Sequence, residues 1–270
     1  MRCCAATRSR RAAGLTEPTQ RWALLVEYDG GPFVGWQRQS SGPSVQAVLE
    51  QAAGKLNGGA PVVVIAAGRT DAGVHAAGQV AHLDLPARFD PTRVREALNY
   101  HIGAHPVSVV RAAMVGDGFS ARHSARARHY RYVILNRRAR AAIDRGRVWH
   151  VAKPLDVAAM AEAATGLLGR HDFTSFRASA CQAASPVRTL DRLDVIRVGD
   201  RIEIAASARS FLHHQVRNMV GSLKLVGQGV WPPGRMAAAL DARDRAAAGP
   251  TAPPDGLCLM AVDYDPDPFL

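Results

Sequence analysis

The chain has 270 residues, of which 47% are hydrophobic and 21% charged, as is usual for a globular protein of one or two domains. No apolar run approaches the ~20 residues of a membrane-spanning helix, so no transmembrane segment is predicted. Lys and Arg together number 34 against 23 Asp and Glu, which gives a formal net charge of +11. Such a basic chain favours a polyanionic partner, most commonly a nucleic acid. Codon bias is an alternative explanation of the excess of Arg over Lys, but it does not explain the net charge.

The first twenty residues differ from the rest in composition. Residues 1–20 contain four Arg and one Glu, so this segment carries +3 of the net charge and leaves +8 on the remainder. The segment lacks the apolar region of a secretory signal. It resembles a mitochondrial transit peptide only faintly, and we interpret it as a disordered leader or the product of a misassigned start codon.

The cysteines indicate neither a disulfide framework nor a metal site. Four are present, two of them adjacent near the start and two isolated at Cys181 and Cys258. No spacing matches a set of metal ligands, and the low count favours a reducing compartment, which is most simply the cytoplasm.

Hydrophobic periodicity predicts alternating strands and helices along the first half of the chain. In order, we expect a strand at 23–28, a helix at 45–56 with Ser44 as N-cap, a buried strand at 62–65, a half-buried strand at 79–85, a helix at 92–100, and strands near 107–114 and 129–135.

The second half repeats a similar order of elements. It predicts a helix at 157–168, strands at 190–198 and 201–206 joined by a hairpin turn, a helix from about 211 to 227, a loop at 249–254 and a last strand at 257–262. Strands paired through hairpins and interspersed with helices predict an α+β fold with an antiparallel sheet.

A glycine-flanked loop at residues 68–75 is the densest candidate for chemistry. It reads GRTDAGVH and directly follows the buried strand predicted before it. Asp71 could act as a nucleophile, a general base or a metal ligand, or it could only cap a turn. No second acid lies near it in sequence, which argues against a glycosidase, and no phosphate-binding loop motif is present. A lone Asp among Arg side chains suits a nucleophile that stays ionised.

A second candidate is basic and aromatic. Residues 122–147 contain nine Arg, two His and a single acid, Asp144. Tyr130 and Tyr132 alternate along a predicted strand and therefore point to one face. Guanidinium groups fit phosphates and an aromatic ring can stack on an exposed base, so this stretch suits a nucleic-acid surface. The alternative is a solvated strand edge with the tyrosines in the core.

The third candidate is the stretch FLHHQVRNMV at 211–220. Adjacent histidines on a helix point about 100° apart, so His213 and His214 do not predict a metal pair. Arg217 in an apolar helix is costly unless it meets an anion. Asp71 is one candidate partner, and a purely structural pair with another acid such as Asp194 is the alternative.

Ten short blocks identify a family resemblance. They are YDG at 28–30, GWQRQ at 35–39, SVQ at 44–46, GRTDAGVH at 68–75, GQV at 78–80, FSAR at 119–122, RHYRY at 128–132, HDF at 171–173, PVRTL at 186–190 and FLHHQVRNMVG at 211–221. In this order, from about Arg21 to Tyr264, they resemble bacterial tRNA pseudouridine synthases of the TruA family. The GRTDAGVH loop is the most specific block.

The resemblance implies isomerisation of uridine to pseudouridine at positions 38–40 of the tRNA anticodon arm, with no metal and no small-molecule cofactor. Asp71 matches the family's catalytic aspartate, which attacks C1′ or promotes glycal formation. Tyr130 matches the tyrosine that stacks on the target base, and Arg217 matches the arginine that pairs with the aspartate. Arg69 matches an arginine expected to hold the extruded nucleotide.

The implied architecture is two pseudo-symmetric ferredoxin-like halves, at 21–115 and 116–270, that share one sheet and enclose the active cleft. The implied assembly is a homodimer with tRNA crossing both subunits. Departures from the family pattern at His129, at Arg209 and at 99–103 bear on fine specificity. A non-catalytic tRNA-binding or tRNA-folding protein on the same scaffold is the alternative function.

Overall fold

The structure is a computed structural model that describes residues 18–270. The predicted leader therefore lies outside the described residues except for its last three positions. Of these, Thr19 and Gln20 already belong to the first strand, so this strand begins slightly earlier than residue 21. Within the described part, no helix is long and apolar enough to cross a membrane.

The first half is a small sheet covered by two helices. Its elements are β1 (Thr19–Tyr28), α1 (Val45–Leu56), β2 (Ile65–Ala66), β3 (His75–Pro86), α2 (Pro91–Ile102) and β4 (Val107–Val115). The strands lie in the order β4-β1-β3-β2, and every pair is antiparallel. This is the strand order of a ferredoxin-like half.

The second half has the same order with additions. Its elements are β5 (Ala127–Leu135), β6 (Trp149–His150), α3 (Val157–Thr165), β7 (Gly169–Asp172), β8 (Val187–Val198), β9 (Arg201–Ala208), α4 (Gln215–Gly227), α5 (Arg235–Ala242) and β10 (Leu257–Asp263). The strands lie in the order β10-β5-β9-β8, with β7 added beyond β8.

The two halves meet along one edge. The last strand, β10, pairs antiparallel with β5 and parallel with the beginning of β3, where Cys258 and Leu259 oppose His75 and Ala76. The ten strands of the described residues therefore form one mixed sheet, and each half keeps its own hydrophobic core. The prediction of an α+β fold made of two ferredoxin-like halves is confirmed.

The predicted buried strand at 62–65 is wrong in extent. Only Ile65 and Ala66 form a strand, and the side chains of Val63 and Ile65 are exposed while Val62 and Val64 are buried. Side chains of α1 take the place of a neighbouring strand: the Glu50 carboxylate accepts a hydrogen bond from the Val64 amide at 3.1 Å. The segment before β2 is therefore fixed to a helix rather than to the sheet.

The loop at 249–254 packs closely against helix α4 at Gly221. A Cβ atom added to Gly221 would lie 1.7 Å from the Pro250 carbonyl oxygen, so only glycine fits there. The amide of Ala252 donates to the carbonyl of Arg217 at 3.1 Å, one turn earlier on the same helix. Gly221 thus sets the distance between α4 and the loop.

We expect Gly221→Ala to destabilise the protein by roughly 1–3 kcal/mol because the new methyl group meets backbone atoms of the loop. Helix propensity alone would favour alanine by about 1 kcal/mol, so the sign of the change separates the two effects. The unfolding midpoint in urea measures it. Gly234→Ala at the start of α5 is the matched control, since nothing lies within 4 Å of its added Cβ. Equal midpoints for the two variants would contradict the close approach.

Candidate active site

Asp71 lies in a tight loop between β2 and β3 whose backbone is fixed from several sides. Its carbonyl accepts a hydrogen bond from the Val74 amide at 3.1 Å, which closes a turn. The amide of Trp36 donates to the Thr70 carbonyl at 3.1 Å. Gly35 makes this approach feasible: its φ is +115°, and an added Cβ would lie 2.8 Å from the Thr70 oxygen. The Asp71 carboxylate is therefore presented by a rigid loop, with 18% of its side chain exposed.

A buried hydrogen-bond network supports this loop from behind. The Thr70 hydroxyl lies 2.8 Å from the Tyr28 hydroxyl, and the Gln79 side-chain amide donates to the Gly68 carbonyl at 2.8 Å. Burial raises the pKa of Tyr28 far above its usual value, so this phenol stays neutral. The network is uncharged and holds the loop without competing for the Asp71 carboxylate.

Arg217 of α4 approaches Asp71 from the other half of the molecule. Its Nη1 donates to Asp71 Oδ2 at 3.2 Å, and its Nε donates to the Ala252 carbonyl at 2.8 Å. The Arg217 side chain is only 13% exposed, so its charge is largely removed from water and needs this anion. The structure brings the two predicted partners together. The alternative partner, Asp194, instead pairs with Arg192 on the same strand.

The two histidines before α4 also surround Asp71, which the sequence did not predict. The helix begins at Gln215 rather than near 211, and His214 has a left-handed backbone with φ 63°. Because neither residue is helical, the 100° argument fails. His213 Nε2 lies 3.4 Å from Asp71 Oδ1, and His214 Nε2 lies 3.5 Å from Asp71 Oδ2. Three nitrogen-bearing side chains therefore face one carboxylate.

Asp71, His213 and His214 lie close enough together to hold a metal ion, but the charge beside them is unfavourable for one. One ligand atom from each of Asp71, His213 and His214 lies within 4.8 Å of the others. The Arg217 guanidinium already occupies the neighbourhood of Asp71 Oδ2, and a fixed cation there repels a metal ion. The cluster is better described as a carboxylate with three polar nitrogen partners.

Tyr130 lies in the middle of β5, between Leu259 of β10 and Ala206 of β9. Its ring is partly buried and packs edge-on against Phe211, with 5.2 Å between centroids. Burial raises the pKa of Tyr130, and the nearby Tyr28 and Asp71 add to the shift. The phenol therefore stays protonated beside the Asp71 loop. Tyr132, two residues along the same face, is fully buried and belongs to the core.

Of the predicted basic groups, Arg69 and Arg128 have opposite environments. Arg69 is exposed, and no side-chain partner is found for it in the described part of the chain. Arg128 is buried, and its Nη2 donates to the carbonyls of Ala67 at 2.6 Å and Arg122 at 2.8 Å. Burial lowers the pKa of Arg128. Arg128 is therefore a structural support behind the Asp71 loop, and the prediction of a phosphate-facing stretch fails at this residue.

His129 has internal partners as well. Its Nδ1 lies 2.8 Å from the Ser207 hydroxyl, and its Nε2 lies 2.7 Å from the Asp263 carboxylate. Through these two contacts, the His129 imidazole on β5 is connected to β9 and to β10. Both of its ring nitrogens are therefore engaged within the sheet.

His75 closes the far end of the loop. Its Nδ1 lies 3.1 Å from both the Gly30 amide nitrogen and the Asp29 Oδ1 atom, and its Nε2 lies 2.8 Å from the Gly146 carbonyl oxygen. Arg147 Nη2 donates to Asp29 Oδ2 at 3.1 Å. Together these bonds attach the basic segment after β5 to the Asp71 loop. The sequence signal for His75 was its place in the GRTDAGVH block.

The lowered pKa of His214 gives a testable pH dependence. Burial is the main cause of the lowered pKa of His214. His213 and Arg217 lower this pKa further, whereas the Asp71 carboxylate raises it. Below about pH 6.5 the unfolded chain binds a proton that the folded His214 resists, so the wild type loses stability as the pH falls. Asparagine tolerates a left-handed backbone and does not titrate. We therefore expect His214→Asn to lose less stability than the wild type between pH 7.5 and 5.5.

Urea unfolding midpoints at the two pH values measure this difference. His105→Asn, which removes an exposed histidine from the end of the α2–β4 loop, is the control and should follow the wild-type profile. If His214→Asn follows the wild type too, the environment assigned to His214 is wrong.

Comparison with known proteins identifies close relatives across nearly the whole chain. A family model described as tRNA pseudouridine synthase matches residues 24–123 and 163–265. Asp71 and Arg217 lie inside the matched ranges, and Tyr130 lies between them. The tRNA pseudouridine synthase A of Acidiphilium cryptum is 66% identical over 251 residues, which cover 93% of this chain and 98% of the relative.

Other relatives are similarly complete. The tRNA pseudouridine synthase A of Paramagnetospirillum magneticum is 61% identical, with coverage of 90% of this chain and 95% of the relative. That of Mesorhizobium japonicum is also 61% identical, with coverage of 90% and 99%. Among solved structures, a chain of a Cbf5-Nop10-Gar1 complex matches with 14% identity and a TM-score of 0.32, over 76% of this chain and 45% of that chain. Similarity at that level carries no conclusion.

Proposed function

The chain belongs to the tRNA pseudouridine synthase family, and we propose that it isomerises uridine to pseudouridine at positions 38–40 of the tRNA anticodon arm, with Asp71 as catalytic nucleophile. The observation that carries the proposal is the Asp71 carboxylate, which is held by Arg217 at 3.2 Å and still partly exposed. A fixed and accessible carboxylate beside a guanidinium, with no second acid paired to it among residues 18–270, suits attack at carbon better than acid–base chemistry between two carboxyl groups.

The reaction breaks one glycosidic bond and makes another. An Asp71 oxygen bonds to C1′ of the target uridine as the N1–C1′ bond breaks, and the electron pair leaves with the uracil ring. The ring turns, its C5 bonds to C1′, and the carboxylate is released. The C5 proton is then lost and N1 gains a proton, so the product is an isomer of the substrate. Neither step consumes a cofactor.

Arg217 and the histidines position the nucleophile. The Arg217 guanidinium binds Asp71 Oδ2, and its second bond to Ala252 fixes its orientation. Because Oδ1 lacks a guanidinium partner, it is the oxygen that we assign to the attack. His214, whose pKa is lowered by burial, stays neutral at pH 7 and adds no second full charge to the carboxylate.

Tyr130 and Arg69 serve the nucleotide. Chemistry at C1′ requires the uridine to leave the helical stack, and an aromatic ring can support the extruded base. The Tyr130 ring lies beside the Asp71 loop and its phenol is protonated. The exposed Arg69 guanidinium, two residues before Asp71, is free to bind a phosphate. We extend the proposal to a cytoplasmic homodimer whose subunits both contact the anticodon arm, with halves at 21–115 and 116–270 in each.

We expect Asp71→Asn to reduce turnover by roughly a thousandfold or more because the amide cannot attack C1′. Binding of tRNA should survive or tighten, since the substitution removes a negative charge near phosphates. Release of tritium from tRNA that contains [5-³H]uridine measures turnover. Asp194→Asn, which removes an exposed carboxylate on β8, is the control and should retain full activity.

Undiminished tritium release by Asp71→Asn would overturn the assignment of the nucleophile. If the wild type binds tRNA but releases no tritium at all, the chain is a non-catalytic tRNA-binding protein. A large primary isotope effect with uridine deuterated at C2′ would instead indicate that Asp71 removes the C2′ proton. Mapping pseudouridine along the product tRNA tests positions 38–40 directly.

A further inference from the structure

A cleft lined by three arginines lies at the far edge of the second half. The cavity measures about 300 Å³, and its polar lining consists of Arg170, Ser185, Arg188, Thr189, Arg209 and Ser210. Arg170 of β7 lies directly opposite Thr189 of β8 in the antiparallel pair. Arg209 and Ser210 follow the end of β9, whose Ala208 lies opposite Leu190 of β8. Three neighbouring strands therefore bring the arginines to one place.

Among the described residues, no carboxylate neutralises these arginines. Within residues 18–270, none of the three guanidinium groups forms an ion pair. Arg188 Nη1 donates to the backbone carbonyls of Ser185 at 2.9 Å and Val187 at 2.7 Å. Its Nε is buried and has no hydrogen-bond partner among the described residues. Like charges in a shared cleft repel, and a buried unpaired donor costs free energy, so an anion would relieve both.

The hydroxyl groups of the lining fit the same ligand. Ser185, Thr189 and Ser210 offer neutral donors beside the cations, and a planar guanidinium matches the oxygens of a phosphate in pairs. A phosphodiester accepts all of these hydrogen bonds and carries one negative charge. The lining of the cleft contains no carboxylate that would repel it.

A short chain segment connects the lining of the cleft to the candidate active site. Ser210 is followed directly by Phe211, whose ring packs on Tyr130, and then by His213 and His214 at Asp71. The buried Arg128 donates to the carbonyl of Arg209 and, with its other nitrogen, to the carbonyl of Ala67 just before the Asp71 loop. The backbone of Arg209 is thereby attached to the same support as the loop.

We propose that the cleft formed by Arg170, Arg188 and Arg209 binds a backbone phosphate of the tRNA on one side of the extruded uridine. This inference rests on the proposed function, because it takes tRNA as the ligand. The cleft contributes to the affinity for tRNA and to its register on the enzyme, and it takes no part in bond breaking.

The test compares tRNA binding by the wild type, Arg209→Ala, Arg209→Lys and Arg93→Ala over a series of salt concentrations. Arg93 is an exposed arginine of α2, which packs on β4 at the opposite end of the sheet, and it controls for the loss of one charge. We expect Arg209→Ala to weaken binding roughly tenfold and to reduce the slope of log K against log salt by about 0.7–0.9. Arg209→Lys should retain most of the slope, and Arg93→Ala should match the wild type.

Turnover and stability separate this role from a structural one. At saturating tRNA, tritium release by Arg209→Ala should equal that of the wild type, with the loss confined to KM. Its unfolding midpoint should not fall, because the substitution removes repulsion from the cleft. Wild-type turnover in the same assay tests the proposed function separately from the cleft.

Three results would overturn the inference while leaving the proposed function intact. One is a salt slope of Arg209→Ala equal to that of the wild type. Another is an equal loss of affinity in Arg93→Ala, which would indicate only diffuse attraction by net charge. The third is a change in the binding of inorganic phosphate with tRNA affinity unchanged, which would assign the cleft to a free anion.

Discussion

The ion pair between Asp71 and Arg217 is the interaction on which the rest of this architecture depends. Its partners are 146 positions apart in sequence and belong to different halves, yet their charged atoms lie 3.2 Å apart. A carboxylate loop positioned by Gly35 must therefore meet a helix positioned by Gly221 and the loop it packs on. The shared sheet provides this alignment, because β10 pairs with β3 just after the Asp71 loop and follows the segment that binds Arg217. The site exists only when both halves are correctly joined.

Residue chemistry offered Asp71 as one candidate partner of Arg217 beside a structural pair with another acid, and the family resemblance named Asp71. An arginine in an apolar helix is costly unless an anion pairs with it. The structure supplies this anion as the carboxylate of the glycine-flanked Asp71. Asp194 was the competing partner, but it lies on an exposed strand face beside Arg192. The histidines were missed because Phe211 and Leu212 extend the apolar pattern of the helix backwards, so the predicted helix began near 211 and included both histidines. The left-handed backbone of His214 delays the helix and turns both imidazoles towards Asp71.

Other features depend on contacts that no local pattern encodes. The nine arginines of 122–147 look alike in the sequence, but Arg128 is buried against three carbonyl groups while others are exposed. The predicted strand at 62–65 has the right hydrophobicity, but its Val64 amide donates to Glu50 of helix α1 instead of to a neighbouring strand. The strand order within each half agrees with the fold implied by the family resemblance, whereas hydrophobic periodicity indicated only the α+β class. Burial of a cation, or its exposure to a ligand, is decided by partners distant in sequence.

The most direct test of this account is the coupling free energy between Asp71 and Arg217. Unfolding free energies of the wild type, Asp71→Asn, Arg217→Ala and the double variant give this coupling and cancel the loss of the Arg217–Ala252 hydrogen bond. Both side chains are largely buried, so we expect a favourable coupling of about 1–3 kcal/mol. Additivity of the two substitutions to within roughly 0.5 kcal/mol would show that the halves do not meet through this pair, and it would contradict the account of the site.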